Sequence, residues 1–228
     1  MNLLAVETAT EACSAALSVH GCITERYVVA GNTHSKLILP MIDGLMAAAG
    51  LSPRDLDGLA FGRGPGSFTG VRIATGVIQG IAFGLDLPVM PVSTLQAMAQ
   101  DYFDLHNENT AFVAIDARMG EIFWGVYQRD SEGVAALQGQ ESVTLASDII
   151  CPKEFTGVGI GTGWGVYADI LNERLKGQVK CYETDNLPRA RAVARLAALG
   201  FGKGMAVSVD EAMPVYLRDQ VAKKESER

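Results

Sequence analysis

Backbone chemistry is concentrated in one run of this chain, Gly62-Arg63-Gly64-Pro65-Gly66-Ser67-Phe68-Thr69-Gly70. A short apolar segment, 58–61, leads into it, and an apolar run follows to about residue 84. Strand, glycine-rich loop and helix is the layout that presents backbone N–H groups to an anion. The chemistry stops short of a phosphate clamp. The loop lacks the Gly-Lys-Ser/Thr ending of a P-loop, and Pro65 removes a donor from its middle. The helix predicted over 67–84 carries Gly70, Gly76, Gly80 and Gly84, each costing roughly 1 kcal/mol against Ala. Gly76, Gly80 and Gly84 recur every four residues and line one face. A helix so weak needs something packed closely on its bare backbone. That is either the protein's own sheet or a docked partner helix, and the spacing allows both.

A second candidate is the turn Glu7-Thr8-Ala9-Thr10-Glu11 after the first apolar run. An acidic residue ending strand one, followed by small and hydroxyl residues, resembles the Asp-x-Gly-Thr-x phosphate loop of the sugar kinase, Hsp70 and actin (ASKHA) superfamily. Here Ala9 replaces the glycine that lets phosphate approach the backbone. Glu7, Thr8, Thr10, Gly64 and Gly66 would line such a nucleotide cleft; the other reading is a relic turn capped by hydroxyls. The histidines His20, His34 and His106 form no ligand cluster, so neither a metal nor another cofactor is expected. His34, at the head of a helix, reads as a polar surface or interface residue. Asp116-Ala117-Arg118-Met119-Gly120-Glu121 reads equally as an ion pair within a turn or as a charged lip on a cleft. Gly159-Ile160-Gly161-Thr162-Gly163-Trp164-Gly165 misses the dinucleotide fingerprint at Trp164 and reads as a tight turn. No Ser-His-Asp, Cys-His or Gly-x-Ser-x-Gly arrangement occurs.

The elements that position these groups fall into two halves. Strands are expected at 3–6, 12–19 and 23–29, turning at His20-Gly21. A helix follows from a Thr33 cap to residue 49, kinked at Pro40 and stopped by Gly50. Its Leu37, Ile38, Met41, Ile42, Leu45, Met46 and Ala49 make an apolar face wider than one sheet needs. A capped turn at 52–55, the strand 58–61, the glycine-rich helix, a strand at 87–92 and a Ser93-capped helix to about 103 complete residues 1–104. Residues 105–218 restart in similar order: strands at 112–116, 121–128, 141–145 and 156–160, helices at 165–175 and 190–201, and a short strand at 215–217. Residues 219–228 read as a charged, disordered tail. The whole predicts an α/β protein of two lobes with mixed sheets.

The chain has 228 residues and a net charge of −7. Its cations are scattered, which speaks against independent nucleic-acid binding. Cys13, Cys22, Cys151 and Cys181 show no Cys-x-x-Cys spacing and read as free thiols of a reducing compartment, the cytoplasm. Arg72, Asp86, Pro88 and the glycines argue against a membrane span in the apolar run 71–90.

Taken together, the segments 4–13, His34 with 38–41, 62–72, 91–95, 115–121, 161–164 and 214–218 closely resemble the TsaB (YeaZ) family over nearly the whole chain. The resemblance implies the ASKHA fold and a paralogue, TsaD. With TsaD and the ATPase TsaE, such a protein serves transfer of a threonylcarbamoyl group from its adenylate to tRNA. The acceptor is the exocyclic amine of the adenosine beside the anticodon, in tRNAs reading codons that begin with A. TsaD-type chains carry metal-binding histidines where this chain has Thr94 and Met98, which implies a catalytically silent scaffold. The alternative is an ASKHA-type ATPase or a peptidase acting on TsaD. The resemblance also implies a TsaD contact on the first two long helices, at His34, Leu37, Ile38, Met41, Leu45, Arg72, Ile73, Gly76 and Gly80. An apolar surface of that size predicts self-association when TsaD is absent, and the acidic charge without a basic stripe predicts only indirect contact with tRNA.

Overall fold

A computed structural model describes residues 1–218; the charged segment 219–228, expected as a tail, lies outside the described residues. Strands β1 (Asn2–Glu7), β2 (Ala12–Val19) and β3 (Cys22–Val29) form an antiparallel meander, and β4 (Gly58–Gly62) and β5 (Val89–Val92) extend it in parallel on the β1 side. The order is β3-β2-β1-β4-β5, the five-stranded mixed sheet expected. β1 reads as an unbroken apolar run because both its faces are covered. Leu4 and Val6 join a core with helices α1 (His34–Ala49) and α2 (Phe68–Leu85). Leu3 and Ala5 face the opposite way, into a core with α5 (Ala190–Gly202).

The second sheet holds β6 (Thr110–Arg118), β7 (Glu121–Arg129), β8 (Ala135–Leu137), β9 (Ser142–Leu145), β10 (Gly157–Ile160) and β11 (Val179–Glu183). Its order is β11-β10-β6-β7-β8, with β9 also paired to β7. Helix α3 (Thr94–Leu105) packs on one face and α4 (Thr162–Arg174) on the other.

Several expectations change. Residues 212–218 form no strand; they run as a strap, pinned by the Val215 N–H to the Arg63 carbonyl at 2.8 Å. β8 and β11 were not foreseen; β11 is an edge strand, mostly exposed, so its sequence lacks an apolar alternation. Helix α1 runs through the exposed Pro40 without interruption. Thr33 does not cap it, since its hydroxyl donates to the Ala30 carbonyl instead. Helix α5 belongs to the second half by sequence yet packs on the first sheet. Glu25 of β3 ties it there, paired with Arg189 at 2.8 Å and accepting from the Arg191 N–H at 3.1 Å, while Arg191 also pairs with Asp101 of α3 at 2.5 Å. Helix α2 is long and apolar enough to cross a membrane by length and composition, but its inner residues Ala74, Ile78 and Ala82 are buried in the first core.

Candidate functional site

The first turn is closed by the chain itself. Glu7 ends β1 fully buried, and its two carboxylate oxygens accept hydrogen bonds from the Ala9 N–H at 2.7 Å and the Thr94 hydroxyl at 3.0 Å. Desolvation pushes its pKa up to about 7, and those two hydrogen bonds hold back a larger rise. A Cβ at Gly62 would overlap this carboxylate.

The glycine loop lies directly on the same turn. The Ser67 N–H donates to the Ala9 carbonyl at 2.7 Å, and the Thr8 hydroxyl donates to the Gly70 carbonyl at 2.7 Å. Side chains at Gly66 and Gly70 would collide with the Ala9 and Thr8 carbonyls. These glycines therefore let backbone approach backbone, where a phosphate loop would let backbone approach a ligand. Beside this contact a cleft of about 610 Å³ stays open between the lobes, lined by Ala9, Thr10, Gly66, Ser67 and Gly70, with Phe68, Asp116, Arg118 and Tyr216 at its rim. Arg118 bonds Asp116 at 3.0 Å and lies 3.9 Å from Glu11, so the β6–β7 turn is both an ion pair and a lip of that cleft.

Thr94 and Met98 are both fully buried, one bonded to Glu7 and the other packed in the α3 core. A hydroxyl already donating to a carboxylate and a thioether among Leu95, Tyr102 and Ile160 do not make a hard-metal donor set. His34 is also buried, with Nε2 3.1 Å from the Ala12 carbonyl, so it is an internal strut rather than a surface residue. Trp164 interrupts the second glycine cluster because its ring fills a core position. There its Nε1–H donates to the Phe112 carbonyl at 2.9 Å.

The glycine stripe of α2 faces outward. Gly76, Gly80 and Gly84 are exposed, and an added Cβ at any of them would meet nothing within 4 Å. Packing on the protein's own sheet does not account for the stripe; Val71, Ala74, Ile78 and Ala82 serve that role. Phe83 stands on the same outer face, 81% exposed. Arg72 is exposed, while Ile73, Leu37 and Met41 are half-buried where α1 meets α2. Ile38 and Leu45, expected at a partner contact, are buried in the chain's own first core. Leu45→Asp should therefore unfold the chain rather than weaken a contact, with a loss of about 3–5 kcal/mol that thermal melts of the isolated protein would show.

Sequence reasoning missed Phe68, Phe83, Met213 and Tyr216 as surface groups. Phe83 was legible at i+7 from Gly76. Tyr216 was not: it reaches α2 only through the strap, where its hydroxyl accepts from Arg72 Nε at 2.9 Å.

The architecture is that of a two-lobed α/β protein in which the first turn and the glycine loop bond to each other beside an open cleft, and a neighbouring helix is bare. A family model described as TsaD, tRNA N6-adenosine threonylcarbamoyltransferase, matches residues 27–226. The Escherichia coli K12 protein named tRNA threonylcarbamoyladenosine biosynthesis protein TsaB is 41% identical, over 98% of this chain and 97% of its own. Its Haemophilus influenzae namesake is 40% identical, over 98% and 96%. The solved structure of YeaZ from Pseudomonas aeruginosa is 40% identical, with a TM-score of 0.87 over 95% of this chain and 99% of its own. The chain belongs to the TsaB (YeaZ) family.

Proposed function

We propose that this chain is a non-catalytic scaffold in tRNA threonylcarbamoyladenosine synthesis, the process in the names of its relatives. It holds TsaD in its active form while TsaD, with TsaE and ATP, transfers the threonylcarbamoyl group to the adenosine beside the anticodon. The observation that carries this reading is the outward glycine stripe of α2, a helix face stripped of side chains and left without a neighbour. Exposed interior glycines weaken a helix by roughly 1 kcal/mol each, and close approach of another helix is what offsets that cost. The closed β1 end supports the non-catalytic half of the reading, since Glu7 and Thr8 are buried and bonded to protein atoms and Gly64 packs against Val71 and Val215.

On this reading the fold is a degenerate ASKHA fold working in the cytoplasm. The outer face of α1 and α2 meets the equivalent helices of TsaD, and pairs with a second copy when TsaD is absent. Reconstitution of tRNA modification from purified parts is the test: product should form with this chain and fall to background without it. Product at the full rate without it would overturn the scaffold reading, and ATP hydrolysis or cleavage of TsaD by the chain alone would favour an enzyme.

The RNA contact should be indirect. With a net charge of −7, the isolated chain has little to neutralise phosphates. Filter binding at physiological salt should show no saturable tRNA complex below the micromolar range; tight binding by this chain alone would contradict that.

A further inference from the structure

The cleft between the lobes keeps polar groups that the fold leaves unused. His34, at the head of α1, lines it and is 6% exposed. Its Nε2 meets the Ala12 carbonyl, which can only accept, so Nε2 carries the proton and Nδ1 is a bare acceptor. Nδ1 has no partner among the described residues. Thr10, 8% exposed, lines the cleft as well. Its oxygen accepts from the Ala12 N–H at 3.3 Å, while its hydroxyl proton finds no acceptor among the described residues. Polar groups so deeply buried are ordinarily satisfied, so these two point to a partner in the cleft.

Donors gather at the same turn. Helix α2 begins on the cleft, and of its first three N–H groups only that of Gly70 is taken, by the Ser67 hydroxyl. The N–H groups of Phe68 and Thr69 have no partner among the described residues and stand at the positive end of an 18-residue helix. Ser67 is bonded to Ala9 and His34 to Ala12, so both sets hang on one turn whose ends are no more than about 11 Å apart.

Charge narrows what can bind. Arg218 is spent on Glu121 and the Ala117 carbonyl. That leaves Glu11 and Asp116 against Arg118, which bonds Asp116 at 3.0 Å and only approaches Glu11, at 3.9 Å. Two carboxylates and one cation repel a polyanion such as a nucleoside triphosphate. They suit a ligand with one negative group for the α2 donors and one positive group for Glu11 and Nδ1 of His34. The rest of the wall is apolar, with Ile115 and Phe123 from the second sheet and Val215 and Leu217 from the strap. The volume of about 610 Å³ is that of a small-molecule site, with space for a large side chain.

We infer that the cleft binds a free α-amino acid with a large apolar side chain. Its carboxylate lies on the Phe68 and Thr69 N–H groups, its ammonium between Glu11 and His34 Nδ1, and its side chain on Ile115 and Phe123. Such a ligand touches both lobes and ties them together. The inference stands apart from the scaffold reading, since it uses neither the bare face of α2 nor a partner protein.

The test is calorimetric titration of the full chain with L-phenylalanine and L-leucine, beside glycine, L-phenylalaninamide, N-acetyl-L-phenylalanine, inorganic phosphate and ATP. Phenylalanine or leucine should bind with a dissociation constant below about 1 mM. Loss of either ligand charge, in the amide or the N-acetyl compound, should weaken binding at least about tenfold, and glycine should bind more weakly still. Glu11→Gln should melt like wild type and bind phenylalanine about fivefold more weakly. The second readout is the nitrogen NMR spectrum, in which only three histidines need assignment. The Nδ1 resonance of His34 should shift on saturation as that nitrogen gains a donor. No saturable binding of either amino acid would overturn the inference and leave the cleft to water. Tighter binding of phosphate or ATP would overturn it in favour of an anion site. Equal affinity for the N-acetyl compound, or an unmoved His34 Nδ1, would show that no ammonium group is recognised there and overturn it as well.

Discussion

Gly80→Arg should leave the chain folded and destroy its associations. In the isolated chain the substitution meets open space, since nothing lies within 4 Å of a Cβ at this position. Replacing an exposed helix-interior glycine strengthens the helix by a fraction of a kcal/mol to about 1 kcal/mol. The melting temperature should therefore hold or rise slightly. In the complex the same side chain lies where two backbones approach. It would force them apart or bury an unpaired cation, costing about 3–5 kcal/mol, a loss of two to three orders of magnitude in affinity. Gly76→Arg should behave alike, one turn away. Light scattering should report a monomer with and without TsaD, circular dichroism an intact fold, and reconstituted tRNA modification a rate near background. A variant that melts like wild type and still forms both complexes would place the contact elsewhere.

Glu7→Gln should make the protein more stable at neutral and alkaline pH. The carboxyl group has a pKa raised from 4.5 to about 7 in the fold. Between those values the folded chain holds a proton that the unfolded chain has released, so stability falls as pH rises through this window and stays low above it. At 1.36 kcal/mol per unit, the ionised side chain costs the fold about 3 kcal/mol by pH 8. Glutamine reproduces the protonated form: its oxygen accepts from the Ala9 N–H, and its amide donates to the Thr94 hydroxyl, which can reverse its role. The variant should match wild type near pH 4.5 and melt roughly 5–10 °C higher at pH 8, its pH profile flatter across the window. Equal pH slopes in the two proteins would mean that Glu7 does not carry the buried proton.

The stability lost at Glu7 has a structural counterpart. Its carboxyl links the end of β1 to the first turn of α3, and Gly62 at the end of β4 gives it room. The position where a related phosphate loop would place a working acid serves here to knit the first sheet to α3, the helix that packs on the second sheet. Chemistry has been replaced by connection, in keeping with a protein whose contribution to a reaction is made through a surface.

Much of this was legible in single residues. The apolar runs at 3–6 and 58–61, too short for helices and flanked by turn residues, determined buried strands. The hydroxyl of Ser93 determined the start of α3, and the Ser52–Asp55 pair its short capped turn. Those signals are local: they depend on periodicity and on hydrogen bonds between residues a few positions apart. The sequence also contained the glycine stripe, but not its direction. Alternating small and apolar residues made both sides of α2 credible inner faces, and only the docking of Ala74, Ile78 and Ala82 on the sheet decided that Gly76 and Gly80 point to water. On α1 the wide apolar face divided in the same way, with Ile38 and Leu45 inward and Leu37 and Met41 at the margin. The strap lay furthest beyond reach. Pro214-Val215-Tyr216-Leu217-Arg218 has a strand's composition, yet a strand exists only where a sheet edge offers a ladder of partners. Here the chain finds the Arg63 carbonyl and the side chains of α2 instead. Contacts across more than a hundred residues set the path of the strap, and no local pattern encodes which distant group will be there to meet it.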